Sequence, residues 1–467
     1  MKGEKVTNRV PFRYGQLFAD EIAQIHDRSL FHGGSVTMKY SWTRRSLQLF
    51  PALLVVTGGV AGVCASWPQW GGPNGDFKVS AARMAEQWPA DGPKKLWERA
   101  LGDGFSSVVA DSDGLYTMYG TGDEEVIIAL EANTGKPLWE HRYAAPLHKG
   151  KRNGYLGNDS AFAGRGPRAT PLLVGDRLYT IGYTAILHCL EKKSGKVFWS
   201  CDLIRELEGW IHECGYSASP LAYRDTVILL LGSREHGVVA FDQKTGAIVW
   251  KSFPFAISKQ ESQGFQATPL VITLEGEDQF VFMSPTEVIG IDPKDGRQKW
   301  SHPHQNQFQY NCVTPLGGND GLLYVTSHSH GGSRGLQLNR KEGKTVVREL
   351  WHNSRIGLYH NNGICLEDYV YGCNGPFSYA QNVKTGEVAW KERGFSEANL
   401  LYADGKIIIL DEKGVLALAT VSPQQLTVHA KFQLFREEEG ESWTPPTLVG
   451  STLYARNRHR IVALELR

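Results

Sequence analysis

The chain is predicted to fold as an all-β protein, a single β-propeller of about eight four-stranded blades. Three observations predict it. A short turn followed by a tryptophan recurs six times; the 467 residues include 51 glycines and 13 tryptophans; and a strand near the N-terminus matches the one strand that the last repeat lacks. Many short aromatic strands joined by tight glycine turns favour closed all-β architecture over helical packing.

The repeats are Ala129–Trp139, Leu190–Trp199, Phe241–Trp250, Ile291–Trp300, a stretched copy Asn339–Trp351, and Asn382–Trp390. Successive tryptophans lie 60, 51, 50, 51 and 39 residues apart. Such a period is one propeller blade with variable loops. Within each copy the glycine supplies positive φ, and the Asp, Asn or Ser beside it can bond the turn backbone. The tryptophan then opens the outer strand, where its ring can wedge between blades while its N–H finds a backbone acceptor. On this reading Trp199→Ala, Trp250→Ala and Trp300→Ala each cost about 3–5 kcal/mol, whereas Trp67→Ala does not.

Two strands precede each turn. The first opens with a small residue and proline, as in Ala169-Thr170-Pro171, Ala218-Ser219-Pro220 and Ala267-Thr268-Pro269; the second is apolar and aromatic, as in Leu322-Leu323-Tyr324-Val325. Degenerate copies occupy Asn399–Phe432 and Thr444–Arg467. The last copy stops before an outer strand, and Lys95-Leu96-Trp97-Glu98-Arg99 has that character with no blade before it. Pairing the two closes the ring and removes its free sheet edges. The expected count is seven complete blades and one shared.

Residues 1–65 read as an N-terminal extension and signal peptide, and 66–467 as the propeller. Lys39, Arg44 and Arg45 precede an apolar run Leu47–Val63, and Val63-Cys64-Ala65 has the small-residue spacing of a cleavage site before Ser66. Met38 is then the expected start of translation. A membrane anchor is the competing reading, but 17 residues broken by Pro51, Gly58, Gly59 and Gly62 span a bilayer poorly. A twin-arginine signal at Arg44-Arg45 and a lipoprotein signal at Cys64 are lesser variants. The expected location is periplasmic or extracellular, with no stable membrane span after cleavage. With 50 basic and 49 acidic residues the net charge is +1, so no field draws nucleic acid.

Cleavage after Ala65 leaves Cys189, Cys201, Cys214, Cys312, Cys365 and Cys373. An oxidising compartment permits bridges, but buried free thiols fit the spacing equally well. His328-Ser329-His330 puts two imidazoles on one side of a predicted strand; a metal would need a third ligand from His302, His304 or His360.

The signature Ala-x-[Asp/Asn]-x-x-Thr-Gly-Lys-x-x-Trp, clearest at Leu130–Trp139 and Phe241–Trp250, resembles that of pyrroloquinoline-quinone-like repeat propellers. The segment Trp67-Pro68-Gln69-Trp70-Gly71-Gly72-Pro73-Asn74-Gly75 is similar to the opening of secreted members. The resemblance covers about residues 67–467. It implies either a quinoprotein dehydrogenase, with adjacent bridged cysteines and Glu, Asn and Asp ligands to calcium, or a non-catalytic propeller. Here no two cysteines are adjacent and no C-x-x-C-H occurs. The reading is therefore a non-catalytic binding or scaffold propeller, with no catalytic, cofactor or metal residue assigned. A quinone-dependent oxidoreductase using pyrroloquinoline quinone with calcium is the alternative.

The long insertions Arg142–Pro167, Cys201–Tyr216, Lys251–Gln266 and Ser301–Asn311 fall on one face of the disc, so that face is expected to bind. Aligning blades just before the innermost strand puts Arg168, Tyr216, Phe265, Gln266 and Tyr310 around one channel mouth. Asn311, His360, Asn361, Glu397 and Trp443 complete the candidate face, with Phe105 and Ser217 beside them. Rings interleaved with amides and a few charges suit a small polar ligand, a glycan or a protein partner.

Overall fold

The computed structural model describes residues 66–81, 83–146, 166–209, 215–233, 235–252, 265–328 and 330–467. The proposed signal segment, Cys64 and Cys214 lie outside the described residues.

Eight antiparallel sheets form the eight blades of a propeller. Blade 1 comprises Val109–Asp111, Gly114–Thr121, Glu124–Leu130 and Pro137–Ala144, and blade 2 runs through Leu172–Val174 to Val197–Asp202. The innermost strands of blades 3 to 7 are Leu221–Tyr223, Leu270–Leu274, Leu316–Gly317, Ile364–Leu366 and Ala398–Ala403. Blade 8 takes Thr447–Val449, Thr452–Arg456 and Arg460–Glu465 from the C-terminus and Lys94–Ala100 from the N-terminus, with Trp97 opposite Ala463. The expected ring closure is what the chain does.

The signature explains itself in the seams. Five of the tryptophans, Trp97, Trp139, Trp199, Trp250 and Trp351, lie on the glycine turn of the next blade: a Cβ at Gly135 or Gly195 would come within 2.5 Å of the Trp97 or Trp139 ring. Those glycines also have φ of +68° and +73°, so both backbone and space exclude a side chain. The indole N–H donates into the same turn, from Trp97 to Ala132 O at 2.8 Å, Trp139 to Lys192 O at 2.9 Å and Trp351 to Val383 O at 2.7 Å. Trp300 departs from this and donates to Gln279 Oε1 at 2.7 Å. Its neighbour is the stretched copy, whose hairpin Gly332–Lys341 and Lys344–Asn353 carries the turn away.

The residue before each proline forms a belt around the channel. Thr170 N donates to Ser219 Oγ at 2.9 Å, Ser219 N to Thr268 Oγ1 at 3.0 Å, and Thr314 Oγ1 to Thr268 O at 2.8 Å. Between blades 8 and 1 the buried Arg456 takes over, its Nη1 donating to Ser106 O, Thr117 Oγ1 and Met118 O at 2.7, 2.9 and 2.8 Å.

The segment Trp67–Val79 was not legible as what it is, a strap across the channel. Trp67 exchanges two backbone hydrogen bonds with Ala110 of blade 1, Pro68 O accepts from Leu173 N of blade 2, and Phe77 O accepts from Tyr402 N of blade 7. Lys78–Val79 adds a fifth, parallel strand to blade 7. Against the expectation that it matters less than the repeat tryptophans, Trp67 is 1% exposed, more enclosed than Trp300 at 6% and than the half-buried Trp199 and Trp250. The strap's pairing, rather than the repeat, buries it.

Cys189, Cys201, Cys365 and Cys373 are buried free thiols, and Cys312 is half-buried. His328 and His330 fall on a turn after the strand rather than on one side of it, and among the described residues no group of three or more His, Cys, Asp or Glu side chains could hold a metal.

Candidate functional site

The chain leaves each outer strand, crosses to the next blade and enters the channel just before the innermost strand. Those entry segments converge on a cavity of about 170 Å³. Phe105, Arg168, Ser217, Gln266, Tyr310, His360 and Trp443 line it, as the alignment of blades expects. Thr268, Cys312, Tyr359, Pro445 and, from the strap, Trp70 complete the wall and were missed. Nothing in a blade alignment shows that the strap reaches the mouth.

Four expected residues turn away from it. Tyr216 is buried and donates to Leu230 O at 2.7 Å; Phe265 packs on Phe282 with ring centroids 5.8 Å apart. Asn311 Nδ2 donates to Ser284 O and His304 O at 2.8 and 3.1 Å, and Asn361 Nδ2 to Cys373 O and Ala398 O at 2.7 and 2.9 Å. The cause is alternation along extended chain, which sends neighbours to opposite sides. In each pair, Tyr216–Ser217, Phe265–Gln266, Tyr310–Asn311 and His360–Asn361, only one residue lines the cavity. The others tie the entry segment to its blades.

Glu397 stands behind the wall, its Oε2 3.2 Å from His360 Nδ1. Burial, with Glu412 close by, pushes Glu397 up to about 8, and burial, with Arg168 and His328 nearby, pushes His360 down to about 3. At neutral pH the contact thus joins a protonated carboxyl and a neutral imidazole rather than two opposite charges. Trp443 Nε1 donates to Glu412 Oε2 at 3.4 Å.

The rings form a continuous arc. Phe105 meets Trp443 at 4.9 Å, Trp443 meets His360 at 4.9 Å, His360 meets Tyr359 at 4.8 Å, and Tyr359 meets His328 at 4.8 Å. The Arg168 guanidinium lies 5.5 Å from the centroids of both Phe105 and Tyr183. Stacking on two rings fixes that cation at the cavity wall.

A quinone with calcium does not fit this mouth. Calcium takes six to eight oxygen ligands, and the carboxylates here are Glu397, committed to His360, and Glu412, committed to Trp443. The cavity is also smaller than the roughly 300–1,000 Å³ of sites for larger cofactors.

The fold and its repeat define a pyrroloquinoline-quinone-like propeller. The chain belongs to the family described as outer membrane protein assembly factor BamB, whose model matches residues 123–392. Among solved structures, BamB from Moraxella catarrhalis is 17% identical, covering 80% of this chain and 99% of its own, with a TM-score of 0.54. Quinohemoprotein alcohol dehydrogenase from Comamonas testosteroni is 12% identical, covering 87% of this chain and 81% of its own, with a TM-score of 0.61. The computationally designed Ika8 protein is 9% identical, covering 80% of this chain and 99% of its own, with a TM-score of 0.53. At such identities the likeness shows the fold alone. A comparison with curated proteins gives no significant match. Among the described residues, no helix is long and apolar enough to cross a membrane.

Proposed function

We propose that the chain is an exported, non-catalytic scaffold propeller that docks a protein partner on its insertion-bearing face, seating one projecting side chain in the mouth. The observation that carries this is the 170 Å³ cavity with its ring arc and stacked Arg168. It is sized for a side chain rather than a large cofactor, and it combines aromatic area with a fixed cation, the features of residues that dominate binding energy. The description of the family as an assembly factor supports a protein partner over a free glycan or small polar ligand.

A photo-crosslinking residue replacing Tyr310 tests the reading against one replacing Lys196 on the opposite face. Adducts with an envelope protein are expected from position 310 and lost with Trp443→Ala. Adducts from position 196 alone would place the binding face backwards. A quinone absorbance band and dye-linked dehydrogenase activity after soaking with pyrroloquinoline quinone and Ca²⁺ would overturn the non-catalytic reading. Export is tested separately: N-terminal sequencing of exported protein is expected to begin near Ser66, and a start upstream of Leu47 would refute cleavage there.

A further inference from the structure

A second cavity, of about 380 Å³, extends from the other side of Trp70 toward the turns between first and second strands. Short loops at that end predict little room, yet this cavity is larger than the mouth. Its wall includes the whole innermost strand of blade 4, flanked by Leu221 and Ala222 of blade 3 and by Leu316 and Gly317 of blade 5.

That strand has one free edge. It pairs on its outer side with Glu277–Met283, and a two-residue turn makes Leu274–Glu277 the closing hydrogen-bonded pair. Alternation then directs the N–H and C=O of Leu270, Ile272 and Leu274 into the sheet and those of Val271 and Thr273 into the cavity. Among the described residues no hydrogen bond engages the N–H of Val271 or Thr273. The corresponding edges of blades 1, 2 and 7 are all occupied, by Trp67, Pro68 and Phe77–Val79 of the strap. Strand addition is therefore a contact this channel already makes, in antiparallel form at blade 1 and parallel form at blade 7. The strap passes from blade 2 to blade 7, lining the cavity with Asn74, Asp76 and Lys78, and among the described residues it pairs with no strand of blade 4.

We propose that the open edge of Leu270–Leu274 receives an extended polypeptide segment of a partner, which adds to blade 4 as a further strand inside the channel. Backbone pairing supplies the recognition. The apolar flanks at Leu221 and Leu316 select small apolar side chains on the incoming segment. At five residues the edge is about 17 Å long, and its two cavity-facing residues, Val271 and Thr273, supply two pairs of hydrogen bonds. This site is independent of the mouth, and either reading can fail without the other.

The probe is a capped hexapeptide of alternating valine and threonine, with a twin N-methylated at alternate amides that cannot pair. On adding the plain peptide, exchange of the Val271 and Thr273 amide hydrogens is expected to slow at least tenfold, with no such change for the N-methylated twin. Val271→Pro removes one cavity-facing donor at a position where the sheet does not use it, and proline is tolerated at such edges; it is expected to weaken binding at least tenfold. Unchanged exchange at both amides with peptide in excess overturns the proposal, as does equal protection by the two peptides or wild-type affinity in folded Val271→Pro. The exchange and N-methyl arms use the unaltered protein, so they decide the question even where the variant fails to fold.

Discussion

The seams between repeat blades and the strap that crosses the channel are both held by tryptophan, yet they work in opposite ways. In the seams of Trp199 and Trp250 the indole lies over a neighbouring glycine turn and stays half-buried, while Trp97 and Trp300 are more enclosed. In the strap, Trp67 is enclosed: its backbone pairs with Ala110, and its ring packs near Phe77 and over Gly72, where a Cβ would lie 3.1 Å away. A repeated device spreads stability around the ring, because seven of the eight blades supply a tryptophan from the outer strand. A device used once concentrates it.

The largest effect that would sharpen this contrast is Trp67→Ala. Removing a fully buried indole is expected to cost about 3–5 kcal/mol, against roughly half as much for the half-exposed Trp250→Ala. Urea midpoints measure both. Equal losses would mean that the strap carries no more than any seam, and an unchanged midpoint for Trp67→Ala would detach it from the core.

Acidity tests the seam between blades 1 and 2 in a different way. Glu125 is buried there, accepting from Tyr143 Oη and from Tyr183 N at 2.7 Å each, and burial pushes its carboxyl up to about 7 from an ordinary 4.5. The folded state therefore favours the protonated acid, and its stabilising contribution is present below pH 4.5 and lost as pH rises toward 7. Across that window the loss is on the order of 3 kcal/mol. Glu125→Gln should abolish it, so the variant gains on the native protein steadily from pH 4.5 to 7 and keeps that gain above. His188, which burial pushes down to about 4, and His141, lowered by burial, titrate in both proteins and cancel in the difference. A difference that is flat in pH would show that the acid is not enclosed.

The same contrast explains what the sequence made legible. Blade count, turn, wedge and closure are written locally and repeated, so Gly135, Trp139 and Thr170 could be read by comparing the chain with itself. The mouth was half-readable: alignment located its entry segments, but could not tell Gln266 from Phe265 or His360 from Asn361, because register within irregular chain is set by tertiary bonds such as Asn361 to Ala398 O. The strap was unreadable as a channel element. Trp67–Val79 has no second copy to compare, and its partners Ala110, Leu173 and Tyr402 lie up to hundreds of residues away. Arg456 was missed for a related reason: a charge inside a strand signals nothing until its three acceptors converge.

The smallest expected effect lies inside the repeat itself. Trp351 donates its indole N–H to Val383 O at 2.7 Å, whereas Trp250 Nε1 is buried without a hydrogen-bond partner. The turn facing Trp250 contains Pro293 where the others carry Ala132, Lys192, Gln243 or Val383, so the equivalent carbonyl belongs to a residue with fixed φ. Changing either tryptophan to phenylalanine trims similar ring area. Only Trp351→Phe also breaks a neutral hydrogen bond and orphans its acceptor, worth about 0.5–1.5 kcal/mol. Trp351→Phe is thus expected to lose that much more stability than Trp250→Phe in matched urea titrations. Equal losses would mean that the indole acts by shape alone, leaving the glycine contact as the sole reason the repeat retains tryptophan.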